Sequence, residues 1–271
     1  MQDILVHVTS YSPWSHATVF AARLAAQLRA NLTGLWCEEP LPAVFIGETP
    51  PMVRLEEDVQ RNLQHARALS TPFRNWTSSH GVADSDWLAC ESMPARALRH
   101  VGSWHDLLVL GSGPDVPWGG ETQLADAIVG AQRPVMVVPE SRLQDPRMER
   151  IAVAWDGSAS AMRALHAALP VLTRSTRVIF LHDDAPPVAP AGLPPFDLDR
   201  FASRHRLPIE RAMFTTQSST TGGALLSGAM AANADLLVMG AFGHSRTREW
   251  VLGGVSRHML AHSPIPLLMQ H

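Results

Sequence analysis

The sequence predicts an α/β protein built from two doubly wound domains in tandem, each on a parallel five-stranded sheet. Three observations carry this. Apolar runs of strand length alternate along the chain with Ala-rich segments of helical period. The strand runs are apolar almost throughout, as in a parallel sheet covered on both faces. The whole alternation occurs twice, with matching landmarks, so each copy is a domain rather than one layer of a solenoid.

Taken in order, Ile4-Leu5-Val6-His7-Val8 reads as the first strand of the first half and Ile151-Ala152-Val153-Ala154-Trp155 as its counterpart. Each is followed by a small-residue turn and an amphipathic helix. Phe20, Leu24 and Leu28 share one helical face in the first half, and Met162, Leu165, Leu169 and Leu172 share one in the second. Leu107–Gly111 matches Leu236–Gly240. Near each end, Arg133-Pro134-Val135-Met136-Val137-Val138 is set against Ser263-Pro264-Ile265-Pro266-Leu267-Leu268. In the second half strands are expected near 150–155, 177–182, 209–214, 236–240 and 265–269, and helices near 158–173, 196–206, 221–233 and 252–262. The Pro-rich stretch 183–195 reads as an extended loop, with residues 40–51 as its counterpart. The polar stretch 140–149, containing Pro146, separates a first domain (1–144) from a second (145–271).

Composition narrows the function. The 271 residues suffice for two ordinary domains, and 46% apolar residues can form a core. A net charge of −3 without a basic run argues against a general nucleic-acid binder. No apolar stretch approaches the ~20 residues needed to span a bilayer. The opening residues lack a secretory leader's pattern, so a cytoplasmic protein is expected. Cys37 and Cys90 are distant in sequence, and the simplest reading makes them reduced thiols in or near the core.

The chemistry concentrates near the end of the chain. Met239-Gly240-Ala241-Phe242-Gly243 follows an apolar strand run, and Gly253-Gly254-Val255-Ser256 opens a helix. Glycines let backbone N–H groups approach an anion, and a helix N-terminus favours negative charge. This predicts a nucleotide phosphate site near 240–256. In an open parallel sheet, ligands sit beyond the carboxyl ends of the strands where strand order reverses. Asp156 ends the first strand of the second half, so its carboxylate would face the same crevice as Gly240. Its competing reading is a helix N-cap. His244, Arg246 and Arg248 are loop cations within reach of a phosphate, or simply solvated. His258 and His262, four apart on a helix, have metal-ligand spacing but lack the further ligands zinc wants.

Gly240-x2-Gly243-x9-Gly253, together with the Ile151–Ser158 strand and turn, resembles the ATP-binding signature of the universal stress protein family in its tandem form. The resemblance implies a pose: Asp156 at the ribose, the backbone near Asp183 at the adenine edge, and Met239 and Gly240 beside base and sugar. Gly243, Gly253, Gly254, Val255 and Ser256 would surround the phosphates. It implies ATP, or ADP or AMP, as ligand, with Mg2+ accompanying ATP, and no catalytic residue. It also implies two flavodoxin-like domains whose closing strands, Val135–Val138 and Ile265–Met269, pair across the domain interface as an intrachain pseudo-dimer. Further homo-oligomers are compatible with this, and Pro266 should keep the pairing short. Gly254 stands where the family commonly has Ser, Thr or Asn.

The first half departs from the motif. Thr9 matches Asp156, and Gly111-Ser112-Gly113-Pro114 replaces Gly-x-x-Gly. Aligned on the closing strands, Gln123 and Leu124 fall at Gly253 and Gly254. One nucleotide per chain, in the second domain, is therefore expected. The implied role is stress response or signalling through an unidentified protein partner. A nucleotide-free scaffold of the same fold and a slow ATPase are the rivals. Neither nucleic acid nor membrane is an expected partner.

Overall fold

The computed structural model describes residues 1–41, 50–113, 121–140, 145–183, 194, 196–215, 220–242 and 253–271. In the first half the strands are β1 (Asp3–His7), β2 (Asn31–Glu38), β3 (Ser85–Glu91), β4 (Leu107–Ser112) and β5 (Val135–Pro139). They alternate with α1 (His16–Leu28), α2 (Pro50–Ala68), α3 (Ser70–Ser79), α4 (Pro94–Val101) and α5 (Glu121–Ala131). The second half has β6 (Arg150–Ala154), α6 (Ala159–Leu172), β7 (Arg177–His182), α7 (Leu198–His205) and β8 (Ile209–Met213). It closes with α8 (Thr221–Ala231), β9 (Leu236–Gly240), α9 (Gly254–His262) and β10 (Leu267–Gln270). Most of the stretch expected to be an extended loop at 40–51 lies outside the described residues. Its last two residues, Pro50 and Pro51, instead open α2, because proline suits a helix's first turn, where no intrahelical N–H bond is needed.

All the named strands form one ten-stranded sheet in the order β3-β2-β1-β4-β5-β10-β9-β6-β7-β8. Within each half neighbours run parallel, and the path reverses direction between the first and fourth strands. The sole antiparallel seam among them is β5 against β10, where Val137, Met136 and Val135 face Leu267, Leu268 and Met269. Pro266 supplies no ladder donor, so β10 starts two residues later than the sequence suggests and the seam is short.

The backbone bonds fix the correspondence between halves. Leu108 N–H donates to the Pro134 carbonyl, and Leu237 N–H to that of Pro266, both at 3.0 Å. Pro134 is therefore the counterpart of Pro266, two residues away from the alignment by sequence. Met136 faces Leu268, its own counterpart, so the pseudo-two-fold axis passes through this pair. The shift matters for the glycine motif. Gln123 and Leu124 do not stand at Gly253 and Gly254; they lie inside α5, and Leu124 is buried. Pro134 and Pro264 both follow a helix, which aligns them in sequence, but the strand bond falls on Pro266.

Helices α1, α3, α6 and α7 cover one face of the sheet, with Phe20, Phe73, Leu165 and Phe201 meeting Ile4, Val109, Val153 and Phe180. Helices α4, α5, α8 and α9 cover the other, through Leu98, Ile128, Leu225 and Met259. Both layers run continuously across the seam.

Candidate functional site

Beyond the carboxyl ends of β6, β7 and β9 lies a cleft of about 330 Å³. Its walls include Asp156, Asp183, Met239, Gly240, Gly253, Gly254, Val255 and Ser256. The topology explains why residues a hundred positions apart meet: β6 pairs with β7 on one side and β9 on the other, so their loops open from one point of strand reversal. Gly243, named with these residues from sequence, lies outside the described residues, as do His244, Arg246 and Arg248.

Asp156 is exposed, and its Oδ1 accepts the Ser158 amide at 2.9 Å. It is not the cap of α6. That part belongs to Ser158, whose Oγ accepts the Ala161 amide at 3.1 Å. The turn is opened by Gly157 at φ 72, a left-handed conformation that glycine adopts without a Cβ penalty. Asp183 follows β7, and its carbonyl bonds His182 Nδ1 at 2.9 Å.

The glycines serve different ends. A Cβ on Gly240 would lie 2.7 Å from Ser160 Oγ and 2.8 Å from the Ala161 amide nitrogen. Its missing side chain lets the first turn of α6 pack on the end of β9, a need internal to the fold. A Cβ on Gly253 or Gly254 would meet no described atom within 4 Å. Gly253, the N-cap of α9, has φ −53 and ψ 127, which any residue can adopt. Neither backbone geometry nor packing against the described chain requires these two glycines. What they preserve is space, free of described atoms, at a helix N-terminus.

Ser256 is buried, and its Oγ accepts the Phe242 amide at 3.2 Å. Its hydroxyl oxygen therefore braces the start of the loop, a role the sequence did not suggest. Phe242 sits at φ 50, a left-handed conformation rare for a bulky residue. Ala241 donates its amide to the Gln270 carbonyl at 2.8 Å, and its own carbonyl bonds His271 Nδ1 at 3.0 Å. The loop thus leaves the sheet pinned to both α9 and β10.

Several lining residues escaped the sequence reading: Phe214, Thr221 and Leu225, with Ser158 and Ser160. Thr220 caps α8, its Oγ1 accepting the Gly223 amide at 3.2 Å, so the Thr-Thr-Gly-Gly run was a readable helix start. Trp155 lines the cleft and packs on Phe180 and Phe196, with ring centroids 5.8 and 5.3 Å away. His258 and His262 stack at 4.4 Å, and His262 Nδ1 bonds the His258 carbonyl. No cluster of three or more metal-ligating side chains occurs among the described residues.

Residues 148–271 match the model of the universal stress protein family. Through this half, the chain is similar to the universal stress protein family. Solved structures extend the likeness of fold to both halves. A universal stress protein from Archaeoglobus fulgidus DSM 4304 is 14% identical with a TM-score of 0.69, covering 99% of this chain and 95% of that one. A functionally unknown protein from Pseudomonas aeruginosa PAO1 is also 14% identical, with a TM-score of 0.57 and coverage of 100% and 92%. A universal stress protein in complex with cAMP is 20% identical over 52% of this chain and 98% of that one, with a TM-score of 0.36. No curated protein matches the chain in sequence.

No helix among the described residues is long and apolar enough to cross a membrane.

Proposed function

We propose that the chain binds one adenine nucleotide, ATP in the first place, in the cleft of its second domain and signals through the state of that site. The observation that carries this is the pair Gly253 and Gly254, which hold space open at the start of α9 for no reason internal to the described fold. A polyphosphate there would accept from the first-turn amides of α9 and meet the positive end of its dipole. Asp156 would accept from ribose hydroxyls through Oδ2, since Oδ1 already holds Ser158. The backbone at Asp183 would meet the adenine edge, with Trp155 and Phe214 giving apolar walls. Mg2+ would enter with a triphosphate.

Restricting binding to one site per chain rests on the first half's side chains. Val8 N–H donates to the Leu35 carbonyl as Trp155 N–H does to that of Leu181, which makes Thr9 the counterpart of Asp156. A carboxylate is thereby lost at the ribose position. At the other wall, the space beside Gly113 is filled by Glu140, whose Oε2 would lie 2.5 Å from an added Cβ. An acidic group at that turn opposes a phosphate.

The role that follows is a nucleotide-dependent stress or signalling protein acting on a protein partner. A ligand-dependent shift at Ala241 and Phe242, which are pinned to β10 and α9, would be the signal. The test is chromatography and mass spectrometry of small molecules released from the purified protein, then ATP, ADP and AMP titration calorimetry. One adenine nucleotide per chain is expected. A folded sample that releases none and gives no heat at several temperatures would favour the ligand-free scaffold, and two equal sites would overturn the assignment to one domain.

A further inference from the structure

Cys37 and Cys90 are 53 positions apart in sequence but directly opposite each other on the parallel strands β2 and β3. Residues in register on parallel strands put their side chains on the same face, with backbones about 4.8 Å apart. That spacing lies inside the Cα separation a disulfide spans, so bridging requires little backbone movement. Both residues are only half-buried. Cys90 Sγ also lies 3.8 Å from the Trp36 carbonyl.

The place of the pair in the fold adds a second observation. The Leu35 and Leu181 correspondence makes Cys37 the counterpart of Asp183, two residues further along each strand. Cys90 pairs with Cys37 one step past Trp36 and Ala89, the counterparts of His182 and Met213, so Cys90 corresponds to Phe214. Asp183 and Phe214 both line the ligand cleft of the second half. The first half therefore has two thiols at two positions where the second half meets its ligand, at the open end of the sheet.

We propose that Cys37 and Cys90 form a peroxide-oxidised dithiol site, closing to an intramolecular disulfide at the carboxyl ends of β2 and β3. The Cys90 thiolate attacks a peroxide oxygen and the O–O bond breaks. Hydroxide leaves, takes up the Cys90 proton as water, and Cys90 becomes a sulfenic acid. The Cys37 sulfur then attacks the Cys90 sulfur, the S–S bond forms, and the S–O bond breaks. The second hydroxide takes the Cys37 proton as another water. Two electrons pass from the thiols to hydrogen peroxide, and two waters result. The order of roles follows from the interaction of the two neighbouring thiols, which lowers Cys90 to about 7 and, with burial, raises Cys37. The product would tie the edge strand β3 to β2.

The experiment treats the full-length reduced protein with hydrogen peroxide, removes the oxidant, and counts thiols by alkylation in denaturant. Non-reducing peptide mapping follows. Both thiols should disappear together, as one peptide pair joined through Cys37 and Cys90, and dithiothreitol should restore both. In Cys37→Ser, Cys90 should stop at a sulfenic acid that a 1,3-dione probe traps. In Cys90→Ser, no intrachain disulfide should form. Two thiols surviving peroxide, Cys90 driven to sulfinic acid while Cys37 still alkylates, or disulfides joining separate chains would each overturn the proposal. Faster labelling of Cys37 than of Cys90 would overturn the assigned order. None of these outcomes depends on nucleotide binding in the second domain.

Discussion

A methyl group on Gly240 would sit 2.8 Å from a backbone nitrogen of α6, whereas one on Gly253 would meet no described atom. The two glycines of one motif should therefore respond oppositely. Gly240→Ala is expected to cost roughly 2 kcal/mol, read as a lower midpoint in urea unfolding, because the clash is with backbone that cannot swing away. Gly253→Val should cost little in stability but lower ATP affinity at least about tenfold by calorimetry, since the branched side chain would fill the place of the phosphate. Equal behaviour of the two variants would remove the distinction. His7, fully buried at the end of β1, has its pKa lowered by burial from 6.5 to about 4. Below pH 6.5 the unfolded chain takes up a proton that the folded chain refuses. Stability present above that pH is lost as pH falls towards 4, by about 3 kcal/mol from this residue. Unfolding of the native chain at pH 7 and pH 5 should show the decline, and His7→Leu should flatten it. Legibility at this scale was uneven. Eight of the nine residues named from sequence line one cleft, because motif spacing reports local backbone chemistry. The bracing by Ser256, the crowding at Gly240 and the meeting of Cys37 with Cys90 depend on which elements become neighbours, and spacing is silent about that.

At the scale of elements, strand and helix positions in the second half follow the apolar periodicity to within a few residues. The departures have physical causes. Pro266 delays β10, and α6 starts after Ser158 because a serine hydroxyl, not the nearby Asp156, satisfies the helix's free amide. Ser158→Ala should thus cost about 1 kcal/mol in stability, with the loss seen in urea unfolding whether or not nucleotide is present. An Asp156→Ala variant should act on binding more than on folding, because its Oδ1 holds only an exposed turn amide. The alignment of the two halves was the least legible element. Two prolines follow α9 and one follows α5, so the sequence offered two registers. Only the Leu108 and Leu237 amides, each bonded to a proline carbonyl, select between them.

Across the whole molecule, neither half keeps a core to itself. Met136 and Leu268 belong to one buried layer, and Val137, Leu267 and Met269 to the other, so both faces of the sheet are sealed over the seam. Heating should therefore give a single calorimetric transition, with van't Hoff and calorimetric enthalpies agreeing, rather than one transition per half. Met136→Asp should destabilise the chain strongly or split that transition, because it buries a carboxylate on the axis. Two resolved transitions in the unmodified chain would show that the halves fold independently. The seam has a further consequence through covalent connection. Two separate chains joined by three facing residue pairs would come apart on dilution. Within one chain, each half meets the other at an effective concentration set by a short linker, of millimolar order. Assembly then no longer depends on how much protein is present. Nor must the two halves stay identical to keep recognising each other, so the strand ends of one half can carry thiols while those of the other carry glycines.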